Sequence, residues 1–71
     1  MTDSKKLKEV IERSGLKYKA VAEQLNLSPY GLQKKINNIN EFKVSEMEKI
    51  CSILGIDKQE RDAIFFSQNS D

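Results

Sequence analysis

Apolar residues in this 71-residue chain recur at intervals of three and four, in short segments that turn-forming residues interrupt about every ten positions. No segment shows the alternation of apolar and polar residues that a half-buried strand requires. One cysteine and no histidine exclude an internal disulfide and a Cys/His zinc site. The chain is therefore predicted to be a single all-α domain over residues 1–71, held together by helix packing alone.

Five helices are predicted from the apolar spacing and from residues that favour helix ends. Their expected ranges, in order, are about Ser4 to Ser14, Tyr18 to Leu25, Pro29 to Asn37, Ser45 up to Gly55, and Asp57 through Phe66. Helix four is expected to start at Ser45 because Ser45 and Glu48 have capping-box spacing. The ordered core is expected over about residues 4–66, followed by a polar tail at residues 67–71.

The second and third helices are joined by a short turn with the geometry of a helix-turn-helix. Ala22 is small enough for the two helices to cross closely, and Asn26 is the best non-glycine residue for a left-handed turn. Leu27 is expected to bury itself under the turn. Ser28 is placed to cap helix three, and Pro29 suits the first helical position because its missing N–H is not needed there.

Helix three has an outward polar stripe opposite its apolar side. At about 100° per residue, Leu32 and Ile36 face the core, and the opposite side carries four polar residues. These four are Tyr30, Gln33, Lys34 and Asn37. Amides and lysines can bond to base edges or phosphates, and a tyrosine can contact both a phosphate and a thymine methyl. The alternative is that Tyr30 packs on Lys34 and that the amides form a solvated surface.

Much of the chain resembles a known family. The run GLKYKAVAEQLNLSPYGLQKKIN, residues 15–37, is similar to the helix-turn-helix of the phage Cro and cI repressor (Xre) family. The later residues Phe42, Val44, Met47 and Ile50, with the turn at 54–56, resemble the apolar pattern of that family's fourth helix. The resemblance covers roughly residues 5–66 and implies a five-helix, lambda-repressor-like DNA-binding domain.

The resemblance also implies which residues meet DNA. Those expected at the bases of the major groove are Ser28, Pro29, Tyr30, Gln33 and Lys34. Those expected near phosphates are Tyr18, Asn37, Asn38 and Lys43. The chain departs from the family pattern at Asn26, where glycine is usual, and at Tyr18 and Pro29, where glutamine is common. These departures leave the sequence of the DNA site undetermined.

Several other side chains have ordinary structural interpretations. Lys35 points sideways and is expected to be solvated or near the DNA backbone, and Glu46 and Glu48 are expected to be solvated. Cys51 is expected in the core. The lysines at positions 5, 6 and 8 either extend the phosphate contacts or simply keep the first helix soluble.

Adjacent phenylalanines close the fifth helix. Phe65 and Phe66 point about 100° apart, so a small core can leave one of them exposed. An exposed apolar side chain near a terminus is a candidate dimer contact. We therefore expect helix five to mediate a homodimer, at least on DNA.

The charge is unevenly distributed. Residues 1–43 carry nine basic and five acidic side chains, whereas residues 44–71 carry three basic and six acidic ones. A basic half is compatible with a polyanion such as double-stranded operator DNA. No apolar segment of membrane length or signal-peptide type occurs, which predicts a cytoplasmic protein without membrane contact.

The sequence therefore predicts a transcriptional regulator, a Cro-like phage or prophage repressor that acts by operator occupancy. The alternative is a protein-interaction module of the same fold, either an antagonist of another regulator or an antitoxin-like partner. The carboxylates lack a partner histidine or an apolar pocket, so enzymatic activity is not expected. Nor are a cofactor, a metal or a small-molecule ligand.

Overall fold

The structure, a computed structural model, describes residues 1–66, which form five helices and no strand. The helices are α1 (Ser4–Ser14), α2 (Tyr18–Gln24), α3 (Pro29–Ile36), α4 (Val44–Leu54) and α5 (Lys58–Phe65). The prediction of an all-α, five-helix domain is thereby confirmed. The predicted polar tail at residues 67–71 lies outside the described residues.

Most helix ends follow the local signals of the sequence. The Asp3 carboxylate accepts a hydrogen bond from the backbone N–H of Lys6 at 3.0 Å and caps α1. The Asp57 carboxylate caps α5 by accepting from the backbone N–H of Glu60 at 2.8 Å. Gly15 ends α1 in the left-handed conformation with φ +79°. These contacts satisfy backbone groups that a helix end leaves without partners.

The start of α4 differs from its prediction. The helix begins at Val44, one residue earlier than expected, and the carboxylate that accepts at its start belongs to Glu46. Oε1 of Glu46 accepts from the backbone N–H of Lys43 at 2.8 Å. The predicted pairing of Ser45 with Glu48 is wrong, because the helix places Glu46, and not Glu48, three residues after its N-cap.

One apolar core unites all five helices. Its thirteen buried members are Leu7, Val10, Ile11, Val21, Ala22, Leu25, Leu32, Ile36, Phe42, Ile50, Ile56, Ile64 and Phe65. Cys51, predicted in the core, is half-buried and packs against it. Val44, which belongs to the expected apolar pattern of this region, is 69% exposed because it lies in the first turn of α4 with its side chain toward solvent.

The segment before α1 is bonded to the rest of the domain. The backbone N–H of Thr2 donates to Oδ1 of Asn38 at 2.9 Å, and Nδ2 of Asn38 donates to the Thr2 carbonyl at 2.8 Å. The next N–H, of Asp3, donates to the Ile64 carbonyl at 2.7 Å. The start of the chain thus connects the segment after α3 with the end of α5.

Candidate nucleic-acid interface

The turn between α2 and α3 has the predicted helix-turn-helix geometry. Ala22 is fully buried where the helices cross, and its carbonyl accepts from the Leu27 N–H at 2.9 Å. Asn26 has φ +58°, the left-handed conformation expected from the sequence. Leu27 is half-buried and packs against the core beneath the turn. Small, turn-forming and apolar residues together fix the angle between the two helices.

The first turn of α3 is organised around Ser28. Its hydroxyl accepts from the backbone N–H of Gly31 at 2.9 Å, and Pro29 follows at the first helical position. A Cβ atom on Gly31 would lie 3.1 Å from that hydroxyl oxygen. The nearest neighbour of a side chain at this position would therefore be the oxygen of the helix cap.

The outward stripe of α3 is accessible. Gln33 and Asn37 are exposed, Tyr30 is 68% exposed, and Lys34 is half-buried. The Lys34 ammonium lies 5.1 Å from the centre of the Tyr30 ring, a cation–π arrangement. Tyr30 therefore packs on Lys34, as the alternative interpretation of the sequence stated. The contact leaves the tyrosine hydroxyl and both amides available to a partner.

A depression beside this stripe joins the starts of α2 and α3. It has a volume of about 380 Å³ and is lined by Lys8, Tyr18, Pro29, Gln33 and Ile36. Tyr18, at the first position of α2, is 43% exposed. The fold thus brings Tyr18 together with Pro29 and Gln33, which the sequence separates by more than ten residues. Lys8 completes this group from α1.

The residues after α3 have different roles. Asn37 is exposed at the end of the helix, and Lys43 is exposed before α4. Asn38 adopts φ +64°, and its side-chain amide is bonded to both backbone groups of Thr2. These bonds use the oxygen of the amide and one of its two N–H groups, and Nδ2 also lies 3.4 Å from Oγ of Ser4. The side chain of Asn38 joins the segment after α3 to the start of the chain.

An ion pair couples the end of α3 to the start of α4. The Lys35 ammonium donates to both carboxylate oxygens of Glu46, at 2.6 and 2.8 Å. The side chains are only 12% and 10% exposed, so the expected solvation of Glu46 is wrong, and so is the solvated alternative for Lys35. The helical period turns Lys35 about 100° from Lys34, but it does not show that Lys35 meets a carboxylate. The pairing depends on the path of the chain between the two helices.

Desolvation raises the pKa of Glu46, but other contacts outweigh it. The hydrogen bonds from the Lys35 ammonium and the Lys43 backbone lower the pKa, as do the positive charges of both lysines. The net result is a pKa below the ordinary value of 4.5. Glu46 is therefore ionised at neutral pH and keeps its lysine partner.

The two phenylalanines at the end of α5 are separated by their environment. Phe65 is buried, and its ring meets that of Phe42 edge to face, with centroids 5.4 Å apart. Phe66 is 56% exposed. Of the two candidate dimer residues, only Phe66 is available to a second molecule.

The comparison with known families agrees with the geometry of the turn and of α3. A family model for the Cro/C1-type HTH DNA-binding domain matches residues 6–60. The chain belongs to the Cro/C1-type helix-turn-helix family. No curated protein and no solved structure matches the chain at a significant level. The matched region contains the whole of α2, α3 and α4, so the Cro/C1-type assignment includes the complete helix-turn-helix.

Two further features of the Cro/C1-type domain and the residues next to it concern membrane spans and metal-binding groups. Within residues 1–66, no helix combines the length and apolar content that crossing a membrane requires. The same residues contain no group of three or more His, Cys, Asp or Glu side chains that could hold a metal ion. The outward side of α3 in this Cro/C1-type domain carries the polar groups of Tyr30, Gln33 and Asn37 and the ammonium of Lys34.

Proposed function

We propose that the protein is a transcriptional regulator that binds double-stranded DNA in a sequence-specific manner and represses by occupying an operator. The observation that carries this proposal is the exposed polar stripe on α3, the second helix of a Cro/C1-type helix-turn-helix. In a helix-turn-helix the second helix enters the major groove. A phage or prophage setting and a cytoplasmic location belong to the same proposal.

Part of the α3 stripe and the residues at the helix start form the proposed base-reading surface. Its members are Ser28, Pro29, Tyr30, Gln33 and Lys34, and the last residue of the stripe, Asn37, is assigned to phosphate. Lys34 is held beside the Tyr30 ring, which limits the positions that its ammonium can occupy. A lysine so restrained loses less conformational entropy when it reaches a guanine acceptor. Pro29 and Ser28 set the direction of the helix at its entry to the groove.

Phosphate contacts are proposed for residues on either side of α3. Tyr18 approaches from the start of α2, and Asn37 and Lys43 follow the helix. Such contacts fix the position of the helix on the duplex but do not select its sequence. Asn38 is proposed as a further phosphate contact through the amide N–H that does not bond to Thr2.

A homodimer on DNA is part of the proposal, with Phe66 as its candidate contact. A single helix-turn-helix reads few base pairs, and two copies on half-sites about 34 Å apart gain affinity together. The Phe66 side chain offers exposed apolar area beside the end of α5. A protein that remains monomeric in sedimentation with a two-half-site duplex would refute this part alone.

Fluorescence anisotropy on the preferred duplex and on a random duplex tests the reading surface. Lys34→Ala and Tyr30→Ala are expected to weaken specific binding by about 1–3 kcal/mol each, whereas Lys43→Ala weakens both duplexes about equally. Lys58→Ala, an exposed lysine at the start of α5, is the matched charge control. Tyr30→Phe keeps the ring beside Lys34 and tests the hydroxyl separately.

The outcomes separate the proposal from its alternative. Loss of specificity in the α3 variants, with an unaffected Lys58→Ala, supports direct reading by α3. Absence of duplex binding by the wild-type chain even at low salt would refute the DNA proposal. It would favour the protein-interaction module instead.

A further inference from the structure

We propose that Lys8, on α1, contacts the DNA backbone and extends the interface beyond the helix-turn-helix. This inference rests on the proposed DNA-binding function and adds one residue from a different helix. The sequence left open whether the lysines of the first helix contact phosphate or only keep the helix soluble, and this inference assigns the contact to Lys8 alone. The contact is to phosphate and is therefore independent of base sequence.

The position of Lys8 carries the inference. Lys8 is exposed and lines the same depression as Tyr18, Pro29 and Gln33, which are all proposed to face DNA. It also borders, with Tyr18, a second groove that runs along α1 toward Gly15. Lys8 therefore stands next to Tyr18 at the edge of the surface that a duplex would cover.

The charge of Lys8 is available for such a contact. Its ammonium forms no ion pair with any side chain of residues 1–66. Glu9 and Glu12 line the second groove together with Lys8, so α1 does not present a uniformly basic surface. The attraction to phosphate therefore comes from the Lys8 ammonium at the edge of the depression, and not from α1 as a whole.

The same helix provides a matched control. Lys6 is also exposed, but two residues along a helix turn its side chain about 200° away from that of Lys8. It borders a groove on the α5 side of the domain, whose other lining residues are Asp57, Gln59, Glu60 and Ala63. Lys6→Ala and Lys8→Ala remove the same charge from opposite faces of α1. A comparison of the two isolates the effect of position from that of net charge.

Binding to a mixed-sequence duplex of about 20 base pairs, measured at several salt concentrations, tests the contact. Each phosphate contact contributes about 0.9 to the slope of log affinity against log salt. Lys8→Ala is therefore expected to reduce that slope by about 0.9 and to weaken binding five- to tenfold near 0.1 M salt. Lys6→Ala is expected to stay within about twofold of the wild type. Lys8→Arg keeps the charge and should retain the slope.

Each result supports or overturns the inference. Equal effects of Lys8→Ala and Lys6→Ala would overturn it, because only net charge would then matter. An unchanged slope in Lys8→Ala, with duplex binding by the wild type intact, would overturn it while leaving the proposed function in place. No duplex binding by the wild type would overturn both. Thermal unfolding of Lys8→Ala and Lys8→Gln checks that a loss of binding is not a loss of folding.

Discussion

The ion pair between Lys35 and Glu46 predicts a large loss of stability when its carboxylate is neutralised. Glu46→Gln keeps the shape of the side chain and one acceptor oxygen for the Lys43 N–H. It leaves the Lys35 ammonium, only 12% exposed, without an opposite charge. Breaking a fully buried pair costs about 3–5 kcal/mol of the free energy of unfolding. We expect a smaller cost of about 2–3 kcal/mol here, because the two side chains keep some exposure to water and the substituted side chain keeps one acceptor oxygen.

That loss is large for a chain of this size. A domain of 71 residues has a free energy of unfolding of about 4–11 kcal/mol. A loss of about 2–3 kcal/mol corresponds to a decrease in Tm of about 10–20 °C. Urea unfolding followed by circular dichroism measures the free energy, and a thermal scan measures the Tm.

An exposed ion pair in the same domain is the control. Nη2 of Arg13 lies 3.1 Å from Oε2 of Glu60, but the two side chains are 66% and 33% exposed. Glu60→Gln is therefore expected to change the free energy of unfolding by at most about 1 kcal/mol. Lys35→Met/Glu46→Gln removes the unpaired ammonium and should recover about 1 kcal/mol or more relative to Glu46→Gln.

Two results would refute this reasoning. One is a Glu46→Gln variant no less stable than Glu60→Gln. The other is a Lys35→Met/Glu46→Gln variant no more stable than Glu46→Gln. Either would mean that the two charges do not depend on each other for their burial.

Three further predictions concern acid, the helix cap and the turn. The folded pKa of Glu46 lies below its ordinary value of 4.5, so its stabilising effect is present above pH 4.5 and is lost as the pH falls through the folded pKa. The stability difference from Glu46→Gln in urea titrations should therefore shrink as the pH is lowered below 4.5. Gly31→Ala should stabilise by about 0.5–1 kcal/mol in a Ser28→Ala background but by less in the wild type, because the new methyl crowds the cap oxygen. Asn26→Ala should cost about 1 kcal/mol and Asn26→Gly should not, and equal unfolding midpoints for these two would contradict the role of the left-handed turn.

The local signals of the helix-turn-helix were sufficient to predict its geometry. Asn26 adopts the left-handed turn, and Ser28 caps α3. Leu32 and Ile36 are buried as their spacing predicts. These features depend on residues within one or two turns of each other, and helix caps and turns are local chemistry. The family match over residues 6–60 agrees with this part of the prediction.

The features that sequence reasoning missed depend on contacts between distant residues. Lys35 and Glu46 are eleven positions apart, and the residues next to each in the sequence do not indicate that its side chain is buried. Asn38 also bonds to a distant residue, because its amide meets Thr2 thirty-six positions away. Helical periodicity predicts which face of a helix a residue lies on. It does not predict which charged side chain forms an ion pair with a residue of another helix. One available signal was the position of Glu46 three residues after Lys43, which is a capping-box spacing.

The sequence left open which of Phe65 and Phe66 is buried. Helical geometry correctly placed them on different sides, but it did not say which side faced the core. Phe42, in the segment before α4, supplies the edge-to-face partner that buries Phe65. The sequence alone does not show that the loop after α3 brings this ring to α5. The remaining site residues stay predictions until DNA binding is measured.

The central claim, that α3 reads DNA, is tested most directly by selecting bound sequences from a random pool of duplexes with the wild type and with Lys34→Ala. We predict that the wild type enriches a short motif, repeated with a spacing of about one helical turn if the protein dimerises. Lys34→Ala is expected to relax the preference at one position of that motif. A pool that stays unenriched after selection with the wild type, or an identical motif from both proteins, would contradict the assignment of Lys34 and its helix to base reading.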